Sequence, residues 1–97
     1  MLYTVNKPAL TSGNIFSALR IARPGDPILF LEDGVYVVAG GASTEELVKG
    51  ILEKHPLYAL RADIDARGMK APIEGVQVID YDGFVGLVEE HDVAPWL

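Results

Sequence analysis

The run Ile28-Leu29-Phe30-Leu31 is apolar at every position and is followed at once by Glu32-Asp33-Gly34. A short apolar run bounded by turn formers reads as a strand covered on both faces, since a strand with one wet face would alternate. Working outward, three further runs have strand length: Leu2–Val5, Leu57–Leu60 and Val76–Ile79. These alternate more, which suits strands nearer an edge or partly open to water.

The segments between the runs carry helical spacing. From Thr11 to Ala22, the residues Ile15, Ala18, Leu19 and Ala22 share one face, with Thr11 or Ser12 as N-cap and Pro24-Gly25 as the stop. Gly34 to Ala39 is a short apolar stretch broken by Gly40-Gly41. Ser43 and Glu46 then have capping-box spacing, ahead of a stripe of Leu47, Val48, Ile51 and Leu52. Glu45 and Lys49 form an i, i+4 pair, and Pro56 ends the helix after Lys54 and His55. Asp63 to Arg67 reads as a turn or two closed by Gly68. Asp82 is expected to cap a last helix in which Tyr81, Phe84, Val85 and Val88 face inward. Crossovers too long for hairpins mean parallel strands, so the expected fold is α/β: three layers, α/β/α, around a small mainly parallel sheet.

Length and composition bound the function. The 97 residues are one domain's worth, residues 1–97 being read as a single unit. Such a chain buries only about two-thirds of its unfolded surface. Hydrophobic residues make up 49% and charged residues 23%, which excludes a disordered tail. There is no cysteine, so a disulfide scaffold, a thiolate metal site and a cysteine nucleophile are all excluded. The net charge of −6 is unevenly placed: Lys7, Arg20 and Arg23 stand alone in residues 1–25, whereas residues 26–97 hold all fourteen acids. From Asp80 onward there are five acids and no Lys or Arg. That balance disfavours direct nucleic-acid binding. It leaves either a solvated acidic face or a surface that meets a basic neighbour. Glu89 and Glu90 at a helix C-terminus, where the dipole disfavours them, lean toward the neighbour. No secretory signal or membrane span is apparent, and a cytoplasmic location is expected.

In a parallel sheet, ligands sit beyond the carboxyl ends of the strands near a switch in strand order. Those ends carry Asn6 and Lys7, then Glu32, Asp33 and Gly34, then Arg61 and Asp63, then Asp80 and Asp82. Asn6, Lys7, Asp33, Arg61 and Asp80 therefore outline a candidate cleft. An enzyme would pair Asp33 with Asp80 as acid and base, or set Lys7 beside Asp33. The plainer alternative makes Asp33, Asp63 and Asp82 helix caps and Asp80 a turn residue. The loop Thr11-Ser12-Gly13-Asn14 lacks a phosphate-binding signature and reads as an N-cap. His55 and His91 have no metal-ligand spacing, no serine sits in a nucleophile elbow, and neither metal nor cofactor is expected. Tyr36 and Tyr58 read as packing or interface aromatics, and Trp96 beside Leu97 puts a large anchor near the chain's end.

Taken in order, several short matches resemble one family. They are Val5-Asn6-Lys7, Ala22 through Pro24-Gly25-Asp26, Leu29, Glu32-Asp33-Gly34-Val35-Tyr36, Leu57-Tyr58-Ala59-Leu60, Asp63 and Ala66-Arg67-Gly68. Val78-Ile79-Asp80-Tyr81, Gly83-Phe84-Val85 and Trp96-Leu97 complete the set. The chain resembles DsrH, also called TusB, the smallest subunit of the DsrEFH/TusBCD sulfur-relay complexes. The resemblance implies a DsrEFH-like domain that joins two larger homologous, cysteine-bearing subunits, DsrE/TusD-like and DsrF/TusC-like, in a heterohexamer. Such complexes pass persulfide sulfur, one branch toward 2-thiolation of the wobble uridine of tRNA and another toward sulfur oxidation. Many DsrH-type members carry a cysteine in the first helix, and the resemblance sets Ala18 at that position.

The expectation is a non-catalytic subunit of a sulfurtransferase complex that serves tRNA thiolation, touching tRNA only through the complex and no membrane. Its candidate interface is Asp33, Tyr36, Glu89, Glu90, Trp96 and Leu97. A subunit of a sulfur-oxidation complex and a stand-alone homo-oligomer holding a small anion or nucleotide at the strand ends are the alternatives.

Overall fold

The computed structural model describes residues 1–7, 14–41 and 43–94. Four strands, β1 (Tyr3–Val5), β2 (Ile28–Phe30), β3 (Leu57–Leu60) and β4 (Gln77–Ile79), form one sheet in the order β1-β2-β3-β4. Every pairing is parallel, with Thr4 opposite Leu29, Leu29 opposite Tyr58, and Tyr58 opposite Gln77. The apolar run at Ile28 is an interior strand, buried at all three positions. β3 is interior too, although its alternation suggested an edge; the exposed side of its pattern is Tyr58 alone, half-buried on a thinly covered face.

The helices are α1 (Asn14–Ile21), α2 (Glu45–Leu52), α3 (Arg61–Ala66) and α4 (Tyr81–Glu90), with a 3-10 helix over Glu32–Val38 between β2 and α2. Because each strand pairs with the next in sequence, all three crossovers advance in one direction. Right-handed connections then place α1, α2 and α3 on the same face. The main core follows: Tyr3, Val5, Ile28, Phe30, Leu57 and Ala59 from the sheet meet Ile15 and Ala18 of α1, Val48 and Ile51 of α2, and Ile64 of α3. Among the described residues α4 covers the other face, where Leu87 and Phe84 pack on Leu2, Leu29, Leu31, Tyr58 and Ile79. The result is the three-layer α/β/α arrangement, but unevenly loaded.

This helix, α4, runs across the face from edge to edge. α4 leaves the end of β4, and the chain after it returns to β1, where Leu2 N–H donates to Asp92 O (2.6 Å) and Ala94 N–H to Leu2 O (3.0 Å). Its ten residues span about 15 Å, close to the ~14 Å across three strand spacings. Burying Leu87 there contributes about 1.5–3 kcal/mol.

The helix starts differ from the capping reading. Thr44, not Ser43, is the N-cap of α2. Its hydroxyl is spent on Val37 O (2.5 Å), so no side-chain cap forms. The Glu45–Lys49 pair is present at 3.3 Å. α3 begins at Arg61, two residues ahead of Asp63, and ends before Gly68, whose φ of 65° is cheap for glycine. Asp80 rather than Asp82 caps α4, its Oδ1 accepting from Gly83 N–H at 2.9 Å. With that start, Tyr81, Val85 and Val88 do not face inward; they are 61%, 53% and 43% exposed. The expected caps at Thr11 and Ser12 lie outside the described residues.

Candidate functional site

The most constrained corner of the molecule is the carboxyl end of β2. Leu31 N–H donates to Val5 O at 3.1 Å, extending the ladder by one residue before the chain turns. Glu32 then takes φ of 50°, in the left-handed region that side chains disfavour. Gly34 follows so close to β1 that a Cβ there would lie 1.9 Å from Val5 O, so only glycine fits. The turn is clamped from α3: Glu32 N–H donates to Asp63 Oδ2 at 2.8 Å. Arg67 Nε donates to Asp33 Oδ1 at 3.0 Å, and its Nη1 donates to Asp63 O at 3.2 Å. The Asp33 hydrogen bond raises the Arg67 guanidinium above its ordinary value against the opposing effect of burial, with the Asp33, Asp63 and Tyr36 charges adding to it. Arg67 therefore stays a fixed cation, and Tyr36 stands beside this corner, 45% exposed.

This arrangement rearranges the expected strand-end cleft. Asp33 is paired with Arg67, not with Lys7 or Asp80, and Asp80 is committed to the α4 cap. β3 separates β2 from β4, and Asn6 and Lys7 lie three strand spacings, about 14 Å, from Asp80. Lys7 and Arg61 are exposed, and Asn6 is half-buried and engaged. Among the four described strands the order is monotonic, with no reversal between β1 and β4 of the kind that motivated the cleft. Nor are Asp33 and Asp63 caps: Leu31 and Leu60 hold those positions, and both carboxylates serve the clamp. Among the described residues, no group of three or more His, Asp or Glu could hold a metal ion.

Among the described residues, grooves lie elsewhere. One, of about 500 Å³, is lined by Met1, Tyr3, Ile21, Arg23, Asp26 and Asp92 at the opposite edge of the sheet. Beside it, His55, 7% exposed, has Nδ1 3.0 Å from Asp26 O; a carbonyl only accepts, so that nitrogen carries the proton. Another, of about 530 Å³, runs between α1 and α2 past Leu19, Leu47, Gly50 and His55. Neither includes a residue of the expected cleft.

Ala18, the position that the resemblance gives to a family cysteine, is fully buried against the sheet. A side chain there has no route to another protein's sulfur without movement of α1. Of the expected interface residues, Asp33, Tyr36, Glu89 and Glu90 are exposed, in two separate groups, while Trp96 and Leu97 lie outside the described residues. The sequence reading missed Arg67. Its i+4 spacing from Asp63 was visible, but its reach to Asp33, 34 positions away, was not.

The molecule is thus a small parallel α/β/α domain with a braced corner at the second strand. A solved structure has the same fold: the ychN protein of E. coli matches with a TM-score of 0.80, at 16% identity, over 95% of this chain and 93% of that one. The model of the family described as DsrH like protein matches residues 8–94. The chain is similar to Protein TusB of Photorhabdus laumondii, 45% identical over 94% of both chains. It is also similar to Protein TusB of Serratia proteamaculans (38%) and of Salmonella paratyphi B (39%), again over 94% of both. The chain belongs to the DsrH family, as the order of its short motifs led us to expect.

Proposed function

We propose that this chain is a non-catalytic subunit of a sulfur-relay (sulfurtransferase) complex that supports 2-thiolation of the wobble uridine of tRNA. In this reading residues 1–97 form one DsrH/TusB-like unit that works in the cytoplasm. It assembles with two homologous cysteine-bearing subunits in a heterohexamer and meets tRNA only through them. The observation that carries the reading is the likeness to TusB proteins along 94% of both chains, in a chain that itself has no cysteine. Sulfur held as a persulfide needs a thiol, and Ala18 offers a methyl group. The carboxylates at the strand ends support the same reading, since they are tied into a clamp and a cap rather than set out as an acid and a base.

The test is affinity purification of the tagged chain from its source cell, with native mass analysis and nucleoside analysis of tRNA from a strain lacking it. Two further cysteine-bearing polypeptides in equal amounts, together with loss of 2-thiouridine, are the expected results. Unchanged 2-thiouridine would remove the tRNA branch, and a lone homo-oligomer would remove the subunit reading itself.

A further inference from the structure

α4 presents to solvent a stripe that is not buried among the described residues. Tyr81, Val85 and Val88 follow i, i+4, i+7, so they share one side of the helix, and all three are exposed while Leu87 and Phe84 turn to the sheet. Beside the stripe stand Asp82 and Glu89, with Glu90 one position further round. The segment Asp80–Asp92 contains five acids and no Lys or Arg. Glu89 and Glu90 sit at the negative end of the helix with no basic residue in its last turn. His91 Nε2, 3.9 Å from Glu90, is charged only when protonated. Gly86 adds a second oddity. Glycine inside a helix costs about 1 kcal/mol against alanine, yet a Cβ at Gly86 would meet nothing within 4 Å among the described residues. At Gly83 the chain supplies its own reason, since a Cβ would lie 2.9 Å from Ile79 Cβ. At Gly86 the described residues supply none.

We propose that the outward face of α4 is the docking surface for another protein subunit, one that presents an apolar centre bordered by lysine and arginine on the side of Asp82 and Glu89. This rests on the reading of the chain as a subunit and names the surface through which it assembles. A second copy of α4 does not fit: whether the two helices ran parallel or antiparallel, acids would meet acids with no base to separate them. A basic border relieves both the unpaired acids and their unfavourable place at the helix end. The three apolar side chains supply the centre and the carboxylates select the partner.

The experiment uses the full chain in its purified assembly, treated with a carbodiimide that joins carboxylates to amines in contact. Glu89 or Glu90 is expected to couple to a lysine of a different polypeptide. Val85→Asp with Val88→Asp is expected to weaken assembly by at least about tenfold. Glu89→Lys with Glu90→Lys is expected to weaken it by about fivefold, less so at high salt. Because these positions are exposed, the isolated variants keep their fold, which circular dichroism and thermal melting check. An assembly that forms normally with both double variants overturns this inference and leaves the subunit reading intact. Coupling of Glu89 to another copy of this chain overturns the partner's chemistry. A chain that purifies alone, with no partner to couple, overturns both.

Discussion

Glu32 illustrates how one residue can be held against its preference. Its φ of 50° places it in the left-handed region, which costs an L side chain about 1–2 kcal/mol. What holds it is the backbone around it: Leu31 is still bonded to β1, Gly34 is pressed against Val5, and Asp63 takes the Glu32 N–H. The side chain itself is exposed and takes no part. Glu32→Gly should therefore be neutral or stabilise by up to about 1 kcal/mol, the relief of strain exceeding glycine's extra unfolded-state freedom. Urea denaturation reads this as a raised midpoint at unchanged slope. A loss of more than about 1 kcal/mol would mean that the Glu32 carboxylate contributes to the corner.

At the scale of elements, the two acids at the start of α4 separate cleanly. Asp80 holds Gly83 N–H, whereas Asp82 lies exposed in the first turn, where it gains only from the helix dipole. Asp80→Ala should cost about 1 kcal/mol and Asp82→Ala no more than a few tenths, measured by thermal or chemical melting of the isolated chain. Equal losses would refute the assignment of the cap. The same helix explains what sequence could and could not reveal. Its existence and approximate span were legible from apolar spacing. Its orientation was not, because α4 carries two apolar stripes, Tyr81-Val85-Val88 and Phe84-Leu87, and periodicity does not say which one meets the sheet. α2 had a single stripe, so Val48 and Ile51 were placed inward correctly. Its cap was misplaced because Thr44 found a partner, Val37 O, in another element. The strand-end cleft failed for a related reason: the residues at each end were readable, but their partners depend on strand order, which no local pattern encodes.

Across the whole molecule, the edge opposite the β2 corner is joined through Asp26. Its carboxylate accepts from Arg23 N–H at 2.9 Å and lies 3.1 Å from the Met1 nitrogen, and its carbonyl meets His55 after α2. Burial works to raise the Asp26 carboxyl, but the Arg23 N–H, the Met1 ammonium and the His55 charge outweigh it, so the group lies below its ordinary value of 3.8. A folded value below the unfolded one gives stability that is present above the unfolded value and lost as pH falls through the folded one. Asp26→Asn should thus cost about 1–2 kcal/mol near neutral pH. The gap should close as pH falls below about 4, once wild type loses the charge. Denaturation at neutral and acid pH tests this, and a gap that persists in acid would refute it. Strand count, parallel sense and the two-faced cover were legible because crossover length and handedness are general rules. The uneven loading of the faces was not, since it follows from the strand order.

That order also fixes how the protein is made. β2, β3 and β4 each pair with the strand synthesised just before them, so the four-stranded sheet can grow in the order in which the chain is made. α4 and the segment after it break that order: α4 folds back across the four strands, and residues 92–94 then pair with Leu2 beside β1. Until α4 docks, Leu2, Leu29 and Ile79 lie open on a sticky flat surface. That open surface makes the chain prone to aggregate.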